Sequence, residues 1–353
     1  MAHASGYFRT DYRRDLWLLD TRAQHVAAAA GVAVVVLVPA VASPFLLDLA
    51  NQFFLASIGA IALMLLTGLA GQVSLGHAGL LAAGAFTAGI LFKEFDAPFW
   101  LTIPAAAMTG AVLGVVFGLP SLRLRGLYLA VSTLALHFVV VYLGHEYETK
   151  RGYSTGILID PPSLFGWELY SGIAWYYVLA AAAAATLLFA LNLARTRTGR
   201  AWRAIRDHET VAGALGIDVA RGKLSAFVIS SMITAVAGAL FAYYRSFVSV
   251  EAFSLFLSIQ YVAMIIIGGI GSLLGAVLGA GFVTLFPYAL EAVLRMLPGG
   301  AAFASAIFAV NYAAFGLVMI LFLVFEPLGL VGIWHRVRDY FLLWPFRQRP
   351  ALR

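Results

Sequence analysis

Long apolar runs recur along almost the whole chain and leave a fold in water little room. They lie near residues 26–42, 51–69, 74–92, 99–119, 126–143, 172–193, 224–244, 258–278, 281–297 and 304–325. Each comes close to the roughly 20 residues that a helix needs to cross the hydrocarbon of a bilayer. Only 11% of the residues are charged and 62% are hydrophobic, whereas a soluble domain carries about 25% charge. The chain lacks the polar surface to cover itself in water. An all-α polytopic integral membrane protein with about ten transmembrane helices is the expected class.

The charges set the expected arrangement of those helices. The net charge is +6, but the basic residues lie between apolar runs and at the two ends, which points to a membrane rather than to nucleic acid. Clusters at 9–22, at Arg123 and Arg125, at 195–223 and at 336–353 belong on the cytoplasmic side by the positive-inside rule. Ten helices starting from a cytoplasmic N-terminus put all four there, and leave Lys93 and the 144–171 loop outside at the cost of Lys150 and Arg151. An odd count would part the termini and break the rule at one of them; eight helices with two re-entrant segments keeps it. The divisions are a cytoplasmic segment 1–25, a membrane domain 26–332 with a cytoplasmic loop 195–223, and a cytoplasmic tail 333–353. VAAAAGVAVVVLV at 26–38, followed by PAVAS, is similar to a signal-peptide core. The polar segment before it is long and of mixed charge, so a retained first helix is expected. There is no cysteine, which excludes disulfides and thiolate metal sites.

Little in the sequence offers bond-breaking chemistry. An enzyme inside the bilayer needs ionisable groups at depth, where they are costly and mark function. The candidates are His77, His137, Asn51 and Gln260. No HExxH occurs, and no carboxylate pair lies within an apolar run. His77 stands in GQVSLGHAG at 71–79. It reads either as a neutral imidazole bonded to a neighbouring backbone or serine, or as part of a substrate path. His137 reads as an interhelical hydrogen-bond donor. Glycines 68, 71, 76, 79, 84 and 89, with Ser74, Ala78 and Ala82, read as positions of close helix approach. A break in the helix there would leave backbone groups unpaired unless protein covers them or they line a cavity. The three lysines (Lys93, Lys150, Lys223) fit no phosphate-binding GxxxxGK loop, so any nucleotide that drives this chain is hydrolysed elsewhere. ALMLLTGLAGQVSLGHAGLLAAG at 62–84 is also echoed by VAMIIIGGIGSLLGAVLGAG at 262–281, a weak sign of the internal repeats from which transporters are built.

The loop 195–223 holds seven Arg/Lys against three Asp/Glu. Read as a helix from about Gly199, it sets Trp202 and Ile205 on one face, with Arg203 and Arg206 beside them. Gly213 and Gly216 limit it. Two readings fit: a helix lying at the headgroups with Trp202 as anchor, or a docking surface for a soluble partner. Periodicity does not separate them.

Several blocks together resemble a known family. These are GLAGQVSLGHAGLLAAGAFTAG at 68–89, LPSLRLRGLYLAVSTLAL at 119–136, GRAWRAIRDHETVAGALGIDVARGKLSAFVISSMITAVAGALFAY at 199–243, LSIQYVAMIIIGGIGSLLGAVLGAGF at 257–282 and LVFEPLGLVG at 323–332. They are similar to the permease subunits, LivM type, of branched-chain amino acid ABC importers, in the wider group that includes ribose permeases. The resemblance implies that Gly199, Arg200, Trp202, Arg203, Ala204, Ile205, Arg206, Asp207, Ala214, Gly216 and Ile217 form the contact to an ATP-binding subunit. It implies that Gly71, Gln72, Ser74, Gly76, His77, Gly79 and Gly84, with Gly268, Gly269, Gly271 and Gly275, line or brace the translocation path. Leu80 and Phe86 stand where the family often has Phe and Tyr. Ser154, Thr155 and Gly156 stand in place of a family TGG segment.

The implied machine is an importer in the inner membrane that holds no cofactor, metal or catalytic residue in this chain. ATP and Mg would sit on two LivG/LivF-like ATPase subunits, a LivH-like second permease would complete the path, and a periplasmic binding protein would deliver leucine, isoleucine or valine. Related permeases carry urea and short amides. An ion-coupled secondary transporter is the reading from another class.

Overall fold

The computed structural model describes residues 22–122, 124, 126–153, 156–164, 167–296 and 307–343. Helices fill nearly all of them. The first, α1 (Arg22–Val41), is followed by α2 (Pro44–Leu63), which runs on as a π-helical turn to Leu69. Then come α3 (His77–Phe95), α4 (Phe99–Ser121), α5 (Leu127–Arg151) and α6 (Gly172–Arg195). Two short helices follow, α7 (Arg197–Asp207) and α8 (Glu209–Ala214), before the long α9 (Val219–Arg245). The last four are α10 (Leu255–Gly268), α11 (Leu273–Met296), α12 (Ile307–Phe325) and α13 (Gly329–Leu343). The basic cluster at 9–22 lies, but for Arg22, outside the described residues, as do Arg123, Arg125, Ser154, Thr155 and the end of the tail.

Local chemistry explains the helix ends. Ser43, Ser171, Thr196 and Asp218 cap α2, α6, α7 and α9 by accepting backbone N–H bonds from Leu46, Ala174, Gly199 and Arg221, which satisfies donors that the first turn leaves unpaired. Pro44 follows the first of these caps at the position where a missing N–H costs nothing.

By length and hydropathy, seven described helices can cross a membrane: α2 with its π turn, α3, α4, α5, α6, α9 and α11. The pair α12 and α13, bent by 48°, makes an eighth if it counts as one span. The expected count of ten is not established by this measure, because the apolar parts of α1 and α10 are shorter helices. One expected boundary moves. The apolar runs divide near 279–280, with the boundary around Gly271 left soft, and the chain turns at 269–272, where Gly269 and Gly271 take φ of +115° and +94°. Side-chain-bearing residues rarely adopt such values. Gly279 instead lies inside α11, pressed against the Met264 carbonyl of α10. The helix α13 runs across the expected boundary at 332/333.

The core forms around α9, which packs chiefly against α4 and α3. Small residues let the backbones meet. A Cβ added at Gly84 of α3 would overlap the Ala235 carbonyl oxygen of α9, and one at Gly238 of α9 would overlap the Leu81 carbonyl of α3. The contact is therefore reciprocal. In lipid, such close packing replaces the hydrophobic drive that soluble helices use.

Two short sheets stand beyond the ends of α5 and α9. Ile157–Leu158 pairs antiparallel with Phe247–Val248, and Ser163–Leu164 with Trp167–Glu168.

Candidate functional site

The glycine-rich stretch is a break between two helices, not a catalytic loop. Helix α2 ends in its π turn at Leu69, and α3 starts only at His77. Between them Gln72, Ser74 and Gly76 are buried. Non-helical backbone within a membrane protein must find partners in the protein, and here it does. The Leu75 N–H donates to the Thr133 hydroxyl (2.9 Å), the Ala78 N–H to the Ser258 hydroxyl (2.9 Å), and the Gln72 N–H to the Leu66 carbonyl (3.1 Å). The Thr67 hydroxyl donates to the Gln72 carbonyl, and the Gln72 amide donates to the Lys223 carbonyl (3.0 Å) at the start of α9.

The glycines of this stretch do different jobs. A Cβ at Gly76 would overlap the Thr133 carbonyl of α5, and one at Gly79 would lie 2.7 Å from the His137 Cα, so both admit α5. Gly89 has only ordinary contacts at 3.6 Å. In the second break, Gly268 and Gly275 press each other's backbone across the α10–α11 turn.

His77 is 1% exposed, and its ring lies 4.6 Å from that of Tyr261 on α10. It interacts with the Gly59 backbone, while among the described residues its Nε2 has no hydrogen-bond partner. His137 is also buried, but its Nδ1 has no partner and its ring packs edge-on against Phe138. Among the described residues no interhelical bond from its Nδ1 is seen, and the helices approach there through the contact of Gly79 with the His137 backbone.

Arg206 joins the two breaks. Its guanidinium donates to the Gly68 carbonyl at 2.6 Å and pairs with Asp207 at 3.0 Å. Its stem lies against Gly71, where an added Cβ would come within 2.8 Å of Cγ, and its Nη1 would be 3.2 Å from a Cβ at Gly271. Both glycines have positive φ. Gly68 and Gly271 are themselves adjacent, a Cβ on Gly68 lying 3.1 Å from the Gly271 nitrogen. The breaks within the two echoed stretches thus lie side by side, with one arginine from α7 set between them.

The rest of α7 divides by face. Trp202 is fully buried, its indole N–H donating to the Ser225 hydroxyl of α9 at 3.1 Å. Ile205 is 4% exposed and reaches Gly222. Gly199 is buried against the Leu193 carbonyl, which lets α7 fold back under the end of α6. Trp202 therefore pins the loop to its own bundle. Arg200 and Arg203 donate to the Arg195 and Ala194 carbonyls, at 2.7 and 2.9 Å, that α6 leaves open. Arg200, Arg203, Asp207, Ala214 and Gly216 are exposed, as are Val211 and Leu215; Ala204 and Ile217 are half-buried. Lys223, at the foot of α9, is buried and paired with Glu209 of α8 at 2.8 Å. Replacing Trp202 by Ala should cost about 3–5 kcal/mol of local packing and free the loop. Limited trypsin digestion in detergent should then cut within 197–206 much faster than in the wild type; an unchanged rate would mean that Ile205 and Lys223 suffice.

At the opposite end of the bundle, α2, α9, α10 and α11 enclose a half-open cavity of about 260 Å³. Its polar lining includes Gln52, Tyr244, Arg245, Gln260, Tyr261 and Tyr288. Sequence reasoning singled out Gln260 alone from this group, since residues from four helices converge there and share no motif. Among the described residues no group of His, Asp and Glu could hold a metal ion.

Comparison with known proteins places this architecture. Residues 45–325 match the family described as branched-chain amino acid transport system / permease component. The chain is 34% identical over 273 residues to the high-affinity branched-chain amino acid transport system permease protein LivM of Salmonella typhimurium, covering 69% of this chain and 64% of that protein. It is 34% identical over 276 residues to LivM of Escherichia coli, covering 70% and 65%. The match thus spans just under two thirds of these relatives' length. The autoinducer 2 import system permease protein LsrC of an Enterobacter strain is 31% identical over 189 residues, covering 51% of this chain and 52% of that protein. No solved structure matches the chain. A match running from α2 to the end of α12, together with the apolar helices and their two glycine breaks, means that the chain belongs to the branched-chain amino acid transport permease family, whose members are transport subunits of the inner membrane and not enzymes.

Proposed function

We propose that this chain is one permease subunit of an ATP-driven importer for leucine, isoleucine and valine. The observation that carries the reading is the α7–α8 unit: an exposed face with Arg200, Arg203 and Asp207, held rigidly from beneath by Trp202 and Ile205. A fixed surface of this kind suits a partner that pushes on it. Two ATPase subunits, LivG- and LivF-like, dock there, and they carry the ATP and Mg, since this chain has no phosphate-binding loop. The α7 end is then cytoplasmic, with both termini on that side, and the cavity end faces the periplasm. A homologous LivH-like permease completes the path, and a periplasmic binding protein supplies the solute.

In this machine the chain alternates between outward and inward openings and breaks no bond. Docking outside biases the nucleotide step inside and the reverse, because coupling between sites is reciprocal. The glycine stretches 71–84 and 268–275 brace the path, with the 70–76 backbone kept in place by side-chain hydroxyls.

A second reading changes only the cargo. Over half of its length the chain is also similar to a permease described as importing autoinducer 2, so the shared scaffold does not itself select the solute. Urea and short amides are the further alternative.

The test is co-purification in mild detergent with mass spectrometry of every partner, followed by uptake in proteoliposomes. An ATPase pair and a second permease, with ATP-dependent uptake of leucine from a leucine-loaded binding protein, are expected. Uptake of urea instead would change the cargo. A single chain that moves solute without ATP would overturn the importer reading in favour of an ion-coupled transporter.

A further inference from the structure

We propose that the cavity between α2, α9, α10 and α11 is an acceptor site for a small zwitterion, one that holds the solute between its delivery and its passage through the membrane. This deepens the reading above and rests on it. The cavity, about 260 Å³, falls just below the roughly 300 Å³ at which pockets for drug-sized ligands begin, so it suits a free amino acid better than a larger molecule.

Its lining carries one charged group, Arg245, and several polar ones that are partly unused; the nearest anion, Asp48, stands behind the lining residues Tyr244 and Gln52. The Arg245 guanidinium, at the last residue of α9, is exposed and stands over the Tyr244 ring at 5.6 Å. Among the described residues it makes no ion pair. The Tyr244 hydroxyl donates to the Asp48 carboxylate, which also accepts from the Gln52 amide at 2.7 Å. One tyrosine therefore spaces a free cation from an anion, with its ring under the first and its hydroxyl on the second. Gln260 and Tyr261 also line the cavity, and their side chains make no hydrogen bond among the described residues. Deeper in, the wall is Leu55, Ala56, Met264 and Val283.

This pattern matches an α-amino acid with an apolar side chain. Arg245 takes the carboxylate, a planar fork meeting a planar acceptor. The amide oxygens of Gln52 and Gln260, with the Asp48 charge behind them, take the ammonium. The side chain settles on Leu55, Met264 and Val283. Neither urea, with no charge, nor an amine without a carboxylate satisfies both ends. Tyr261, braced from behind by the His77 ring, forms part of the wall, which gives buried His77 an indirect role.

The experiment uses the assembled complex in nanodiscs, without binding protein, and [14C]leucine as the probe. Wild type should bind leucine, displaced by unlabelled leucine but not by urea or isoamylamine. Arg245→Gln should weaken leucine binding about tenfold by removing a charge-assisted contact, with the ATPases still bound. Arg245→Lys should recover part of the loss. Ala56→Leu, which fills the wall, should exclude leucine while glycine still binds. Wild-type leucine binding in both Arg245→Gln and Ala56→Leu overturns the inference, and so does displacement by isoamylamine as effective as by leucine. So does a wild-type complex that imports leucine with its binding protein but binds none alone. A wild-type complex that imports no leucine under any condition refutes the functional reading itself, and is thereby distinguished.

Discussion

Gly84→Ala is expected to destabilise the bundle by about 3 kcal/mol or more, at the upper end of what overpacking costs. The added methyl has nowhere to go, because the atom it meets is the Ala235 carbonyl oxygen, part of a helix backbone rather than the tip of a side chain. Relief requires α3 and α9 to move apart, and that also loosens Gly238 from the Leu81 carbonyl on the other side of the same contact. The matched control is Gly89→Ala on the same helix. There the new methyl meets only the side chains of Ile157, Ile159 and Val248, at 3.6 Å. This variant should be neutral or slightly stabilising, since alanine is about 0.5–1 kcal/mol better than glycine inside a helix. Thermal unfolding followed by size-exclusion chromatography in detergent reads both. Equal melting for the two variants would mean that the helices separate at little cost.

Arg206→Ala is expected to cut ATP-dependent uptake about tenfold while leaving the ATPases bound. The guanidinium's bond to the Gly68 carbonyl is charge-assisted, and such bonds contribute about 1.5–3 kcal/mol; 1.4 kcal/mol corresponds to tenfold. Its loss separates α7 from the two helix breaks, and because Arg206 is also partly exposed, the pull-down is needed to show that the docking face is kept. Arg203→Glu should behave the other way. Arg203 lies on the exposed side and, among the described residues, donates to the Ala194 carbonyl, so charge reversal there should release the ATPases. Pull-down and uptake, measured together on each variant, separate the two roles. Loss of the ATPases from Arg206→Ala would mean that its contact is with the partner and not with Gly68.

The sequence was sufficient for the class of the protein and for much of its family. A chain with this little charge cannot solvate itself, so a membrane bundle follows from composition. The block at 199–243 carries the family resemblance, because charged and glycine positions are specific where Ala and Leu are not. The helix break at 70–76 was also foreseeable, as glycines interrupting an apolar run.

Tertiary structure decided the rest, because the deciding contacts join residues far apart in the chain. Helical periodicity put Trp202 on an apolar face, but what that face meets is Ser225, two helices later. Arg206 read as one arginine among several, and its place between Gly68 and Gly271 depends on two breaks that lie 138 and 65 positions away from it, counted as 206 − 68 and 271 − 206. The turn at 269–272 could not be told from the glycines at 275 and 279 by composition, since all are small; only the backbone conformation and the facing helix tell a turn glycine from a packing glycine. The cavity has no sequence signature at all. Gln52, Arg245 and Gln260 come from three helices, and only the fold makes them line one cavity.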